Sequence, residues 1–153
     1  NDAPLDFDLV KVKEQSKDNP VYYVQYANVR INSLYEKAIN QGINLNDELD
    51  NINFELLTNI SEINIIKLIA KWPRQVEAAA KANEPHRVTF YLYDMASAFH
   101  SLWSLGNEDP KLRFIIEDNM DLTRARLSLA VMVKIILSSG LSIIGVKPVD
   151  KLS

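Results

Sequence analysis

The run Asn19-Pro20-Val21-Tyr22-Tyr23-Val24-Gln25-Tyr26-Ala27-Asn28-Val29-Arg30 packs three tyrosines, a glutamine and an arginine into the opening turns of a helix. Asn19 supplies a side-chain oxygen suited to capping, and Pro20 fits the first helical position, where no backbone N–H is required. At about 100° per residue, Val24, Ala27, Ile31, Leu34, Tyr35 and Ala38 fall on one apolar stripe. Tyr23, Tyr26 and Arg30, spaced i, i+3, i+7, form a second stripe roughly 100° around the helix. Two aromatic rings beside a guanidinium make a stacking platform for bases. The same pattern also suits half-buried core tyrosines with their hydroxyls in water, and periodicity leaves both readings open.

Working outward, the chain has 153 residues, which suits one domain with its own core. Hydrophobic residues make up 47% and charged residues 24%, the composition of a folded globular chain rather than a disordered one. Its 4 glycines are too few for a turn-rich β fold or a glycine-lined phosphate site. The net charge of −3 gives no general electrostatic case for duplex DNA. RNA stays open, because single-stranded loops are read largely by stacking and base-edge hydrogen bonds. With no cysteine there is no disulfide, thiolate metal site or cysteine nucleophile, which is compatible with a cytoplasmic protein. No stretch reads as the roughly 18 apolar residues of a membrane span, so no membrane partner is expected. A first residue other than methionine suggests a piece of something longer.

Residues 1–18 read as a lead-in, and residues 19–153 as a helical domain. The first long helix is expected from Pro20 to Gln41, stopped by a left-handed Gly42. After an Asn/Asp-rich connection, Ser61 caps a helix that reaches Trp72, and Pro73 breaks or restarts it into an alanine-rich piece ending near Asn83. The next helix opens at Pro85 and ends at Gly106, with Val88, Leu92, Met95, Phe99, Leu102 and Trp103 on its core stripe and Tyr93, Ser97 and His100 on another side. The last runs from Met120 to Ser139, stops at Gly140, and is apolar nearly all round, as befits the middle of a bundle. Leu141 to Ser153 reads as a tail folded back onto the helices. The expected architecture is an all-α bundle of about five helices.

Catalytic chemistry finds little to stand on. His86 and His100 are too far apart to share a helical turn and lack a carboxylate at ligand spacing, which makes them surface or half-buried residues. The phosphate-binding glycine loops, nucleophile elbow and dinucleotide fingerprint are absent. Asp6/Asp8 and Asp47/Glu48/Asp50 lack a glycine at calcium-loop spacing, and Lys67, Lys71 and Arg74 read as a wet face. Arg124 and Arg126 point to different sides and do not make one phosphate clamp. The residues by themselves lead to an all-α binding or interaction module.

The ordered blocks carry a resemblance. "NPVYYVQYANVR" at 19–30, preceded by "LDFDLVKVKEQSKD" at 5–18, resembles the start of the C-terminal anticodon-binding (DALR-type) domain of bacterial-type arginyl-tRNA synthetases. It continues through His86-Arg87, Tyr91-Leu92-Tyr93-Asp94, Ala98-Phe99-His100-Ser101, Leu122-Thr123-Arg124-Ala125-Arg126-Leu127-Ser128-Leu129 and Gly140-Leu141-Ser142-Ile143-Ile144-Gly145-Val146.

The resemblance implies a helical domain that binds the anticodon stem-loop of arginine tRNA as a monomer. It implies a parent arginine–tRNA ligase whose catalytic domain, using ATP and Mg, is not represented here. The His-Ile-Gly-His-like and Lys-Met-Ser-Lys-like motifs are missing, so this stretch needs no cofactor and would not charge tRNA alone. By position, Tyr23 and Tyr26 match tyrosines that contact anticodon-loop nucleotides, and Arg30 matches an arginine near the same RNA. Lys13 and Lys17 lie in a loop that approaches the anticodon. Asn28 stands where many relatives have histidine and retains a donor toward RNA. Trp103 stands where many have tyrosine, and its stripe favours the core. Leu152-Ser153 replaces a terminal methionine, which puts a tail contact with RNA in doubt. The rival readings are a helical protein–protein interaction module, with the tyrosines as its hot spot, or the anticodon-binding domain of another synthetase.

Overall fold

The computed structural model describes residues 19–44 and 52–151, and these residues form four α-helices: α1 Pro20–Asn40, α2 Ile60–Ala82, α3 His86–Glu108 and α4 Met120–Ile143. Short 3-10 turns at Phe54–Leu56 and Pro110–Leu112 complete the order, and no strand occurs among the described residues. The all-α expectation holds; the expected count of about five helices does not. The difference lies at Pro73, which sits inside α2 instead of splitting it. A proline removes one helical donor, here the one that would reach the Ile69 carbonyl. Packing keeps the helix continuous across that loss. Trp72 stacks on Tyr91 with ring centroids 5.2 Å apart, and the Tyr91 hydroxyl donates to the Leu68 carbonyl in the preceding turn.

Local signals set α1. Asn19 Oδ1 accepts from the Val21 and Tyr22 backbone N–H groups at 3.0 and 3.3 Å, Pro20 takes the first position, and Gly42 follows the last turn at φ 77°. The cap of α2 is Asn59 rather than Ser61. It forms a capping box with Glu62, whose Oε1 accepts the Asn59 N–H at 3.2 Å. Gly140 does not stop α4, which runs on to Ile143. A Cβ at Gly140 would lie 2.4 Å from a Leu92 methyl, so glycine is there to let α4 approach α3.

α3 and α4 pack together, and α1 and α2 pack against that pair rather than against each other. The interior is built from Val24, Ile31, Ile65, Leu92, Met95, Phe99, Leu127 and Leu137, all at most 1% exposed. α4 corrects the membrane expectation by composition: its 24 residues are long and apolar enough to span a bilayer. Here more than half of that apolar window is buried inside the protein. It also carries a buried ion pair, Arg126 Nε to Glu62 Oε2 at 2.8 Å. Arg126 Nη1 donates in addition to the Lys111 and Arg113 carbonyls, both at 2.8 Å, which ties α2, α4 and the loop after α3 together. The tail does fold back as expected, with residues 147–150 lying along α1.

Candidate nucleic-acid interface

Three residues of the aromatic flank of α1, Tyr23, Tyr26 and Arg30, are each partly buried where α1 meets α3. The spacing of that stripe on α1 is matched on α3, where Tyr93 and His100 are seven residues apart and so share a face. The two faces meet. The Tyr23 ring lies 5.1 Å from Tyr93 and 4.5 Å from His100. Tyr26 stands edge-on to His100 at 5.2 Å and to Tyr22 at 6.4 Å. The Arg30 guanidinium carbon sits 4.6 Å from the Tyr26 ring centre and 5.2 Å from that of Trp103. Arg30 Nη2 reaches the Tyr26 hydroxyl at 3.4 Å, and Nη1 donates to His100 Nδ1 at 2.9 Å.

An arginine side chain has only donors, so His100 Nδ1 must be the bare, accepting nitrogen. His100 Nε2 lies 3.2 Å from the Tyr23 carbonyl, which only accepts, and so carries the proton. Burial pushes the His100 pKa below its ordinary 6.5; the Tyr23 carbonyl pulls upward less strongly, and the Arg30 charge adds a smaller push downward. The ring is therefore neutral and held as one tautomer. At 7% exposed, His100 is a buried residue, contrary to its expected surface or half-buried place.

Among the described residues no carboxylate pairs with Arg30. Neutral rings and one imidazole nitrogen hold it, so no described residue compensates its positive charge at a partly open surface. A cation presented beside phenol rings matches the demands of an unstacked nucleotide: π faces for the base and charge for phosphate. Trp103 is shared between core and surface. One neighbourhood is Phe99 and Phe114, with centroids at 6.3 and 6.1 Å, and the other is Arg30. Next to it opens a cavity of about 230 Å³ lined by Leu34, Lys37, Trp103, Arg113 and Phe114.

Asn28 lies elsewhere. It is 1% exposed, on the opposite flank of α1, and its Nδ2 donates to the Val149 carbonyl at 2.7 Å. Its Oδ1 is buried without a partner among the described residues. Gln25 Nε2 donates to the Lys147 carbonyl and Gln25 Oε1 accepts the Val149 N–H, both at 2.9 Å. Asn32 Nδ2 donates to Asp150 Oδ1 at 3.1 Å, and Lys134 Nζ donates to Asn32 Oδ1. The structure thus joins Tyr23, Tyr26 and Arg30 in one cluster and separates Asn28 from it. Lys13, Lys17, Leu152 and Ser153, with the acidic residues Asp6, Asp8, Asp47, Glu48 and Asp50, lie outside the described residues. Of the two arginines on α4, Arg126 is interior and Arg124 is part-exposed beside Asp121 at 4.0 Å, so they do not act together. His100 and Tyr93 belong to the cluster although neither is among the expected site residues; their visible signals are the seven-residue spacing and their place in the blocks that carry the resemblance.

Residues 24–152 match the DALR anticodon binding domain. The chain is 52% identical to an arginine–tRNA ligase of Rickettsia peacockii over 99% of its own length and 27% of that protein. It is 51% identical to the corresponding protein of Parvibaculum lavamentivorans, over 99% of this chain and 26% of the relative. The chain therefore spans about a quarter of the length of the curated relatives it matches. Its fold is that of part of an arginyl-tRNA synthetase structure from Campylobacter jejuni, with a TM-score of 0.72 at 22% identity, covering 95% of this chain and 29% of that one. With an all-helical fold and a family match over most of its length, the chain belongs to the DALR anticodon-binding domain family.

Proposed function

We propose that this chain is the anticodon-binding part of an arginine–tRNA ligase and binds the anticodon stem-loop of arginine tRNA as a monomer in the cytoplasm. The supporting observation is the Arg30 guanidinium, uncompensated by any described residue and held over Tyr26 and beside Trp103. In this reading, unstacked anticodon bases lie against Tyr23 and Tyr26, Arg30 meets phosphate or a base edge, and Lys13 and Lys17 meet backbone phosphates. Asn28 acts at one remove, through the C-terminal segment it holds. ATP, Mg and the ligation chemistry belong to the portion of the relatives that this chain does not span, and binding here helps place the distant acceptor end. The chain alone is expected to charge no tRNA.

Titration of an arginine-tRNA anticodon stem-loop into wild type and Tyr26→Ala tests the proposal. A base stacked on tyrosine is worth about 1–3 kcal/mol, so the variant should bind roughly 5- to 150-fold more weakly. Equal affinities, or no binding by wild type, would sink it.

A further inference from the structure

We infer that His100 is the positioning residue of this surface: through a bare Nδ1 on a neutral ring it fixes the Arg30 guanidinium over Tyr26, and so sets the group that meets RNA. The inference rests on the RNA-binding reading for its consequence, but its geometry stands independently. Arg30 is the long, flexible member of the cluster, and its other contacts are ring faces at 4.6 and 5.2 Å and a 3.4 Å approach to the Tyr26 hydroxyl. Ring faces attract a cation without fixing its rotation. The 2.9 Å bond to His100 Nδ1 supplies direction, because one N–H must align with one lone pair.

His100 is itself held on all sides. Its Nε2–H donates to the Tyr23 carbonyl, its ring lies against Tyr23 and Tyr26, and Phe99 of its own helix sits 6.2 Å away. Each of the two hydrogen bonds selects the same tautomer. If that tautomer flipped, an N–H would face the Arg30 donors and a bare nitrogen would face a carbonyl. The charged or titratable groups interacting with the ring are Arg30, Tyr23 and Tyr26, all from α1; among the described residues α2 and α4 contribute none. No carboxylate among the described residues is there to reward protonation. A proton on Nδ1 would remove the acceptor and set two cations at 2.9 Å, so Arg30 must then leave its place.

A positioning effect on RNA binding can be distinguished from mere folding by a pH profile. Asn at position 100 puts an oxygen where Nδ1 lies and cannot titrate; Phe keeps the ring volume and has no acceptor. Stem-loop binding is measured for the wild-type chain, His100→Asn and His100→Phe between about pH 8 and pH 5.5, with circular dichroism at each point. At about pH 8, His100→Asn should bind within about threefold of wild type and His100→Phe about tenfold more weakly. Between about pH 7.5 and 5.5, wild-type binding should weaken more than that of His100→Asn, by less than about tenfold because the lowered pKa keeps part of the rings neutral. Nitrogen NMR of the free chain should show Nδ1 bare and Nε2 protonated near neutral pH.

Parallel pH profiles for wild type and His100→Asn, a folded His100→Phe with wild-type affinity, or a protonated Nδ1 would each overturn the inference. If His100→Phe fails to fold, the His100→Asn comparison and the NMR assignment decide. If wild type binds no RNA at about pH 8, the functional reading fails, and the NMR assignment still tests the link between His100 and Arg30.

Discussion

The two flanks of α1 carry the same spacing and opposite fates. Tyr23, Tyr26 and Arg30 stand at i, i+3, i+7 on one side, and Gln25, Asn28 and Asn32 stand at i, i+3, i+7 on the other. Both stripes are polar or amphipathic, and both border the same core. The amides carry both donors and acceptors, so an extended backbone can take up much of their capacity: main-chain groups of residues 147–149 bond Gln25 and Asn28, and the Asp150 and Lys134 side chains bond Asn32. The aromatic flank offers π faces and an excess of donors, which no backbone segment can use up. One flank is thus largely consumed by the fold, and the other is the one proposed to take a ligand. What separates a structural stripe from a binding stripe is whether the chain itself can complete its hydrogen bonding.

The harshest way to break that comparison is to remove a support common to both sides. Arg126→Met leaves Glu62 buried and unpaired, and denaturant melts should show a loss of about 3–5 kcal/mol with both flanks affected together. Within the helix, the comparison is sharpened by a pair. Tyr26→Ala should weaken stem-loop binding with the melting midpoint nearly unmoved. Gln25→Ala strips partners from the Lys147 carbonyl and the Val149 N–H, and should lower stability by about 1–3 kcal/mol in a urea melt while leaving RNA affinity near wild type. An equal effect of both variants on both readouts would erase the distinction.

The smallest expected effect is on stability against pH. The His100 pKa is lowered on folding, so the unfolded chain takes up its proton first as pH falls. Its contribution is complete above the ordinary value of 6.5 and is lost below it, toward the lowered folded value. Wild type should therefore lose more stability than His100→Asn between about pH 7 and 5.5, read as the difference in urea midpoint.

Much of α1 was legible because its signals are local: Asn19, Pro20 and Gly42 each act on their own turn. Pro73 was misjudged because its penalty is local while the compensation, Trp72 on Tyr91, comes from another helix. Gly140 was taken for a terminator, although its meaning lies in the nearness of Leu92, which no reading of α4 alone contains. The candidate site divides the same way. Tyr23, Tyr26 and Arg30 were visible as one stripe, whereas His100 needed the facing of α1 and α3. Asn28 was assigned toward RNA by position in a motif, and only the path of the chain end reveals its partner.

That path carries a kinetic consequence. Gln25 and Lys147 are 122 residues apart in sequence. Joining them in an open coil costs about 4 kcal/mol of closure entropy, whereas the packed helices have already brought the sites together. During synthesis α1 emerges well before the segment that completes it. The amide flank is therefore a late-closing latch, absent from the rate-limiting assembly of the bundle, and loosening it should hasten unfolding while leaving the speed of folding almost unchanged.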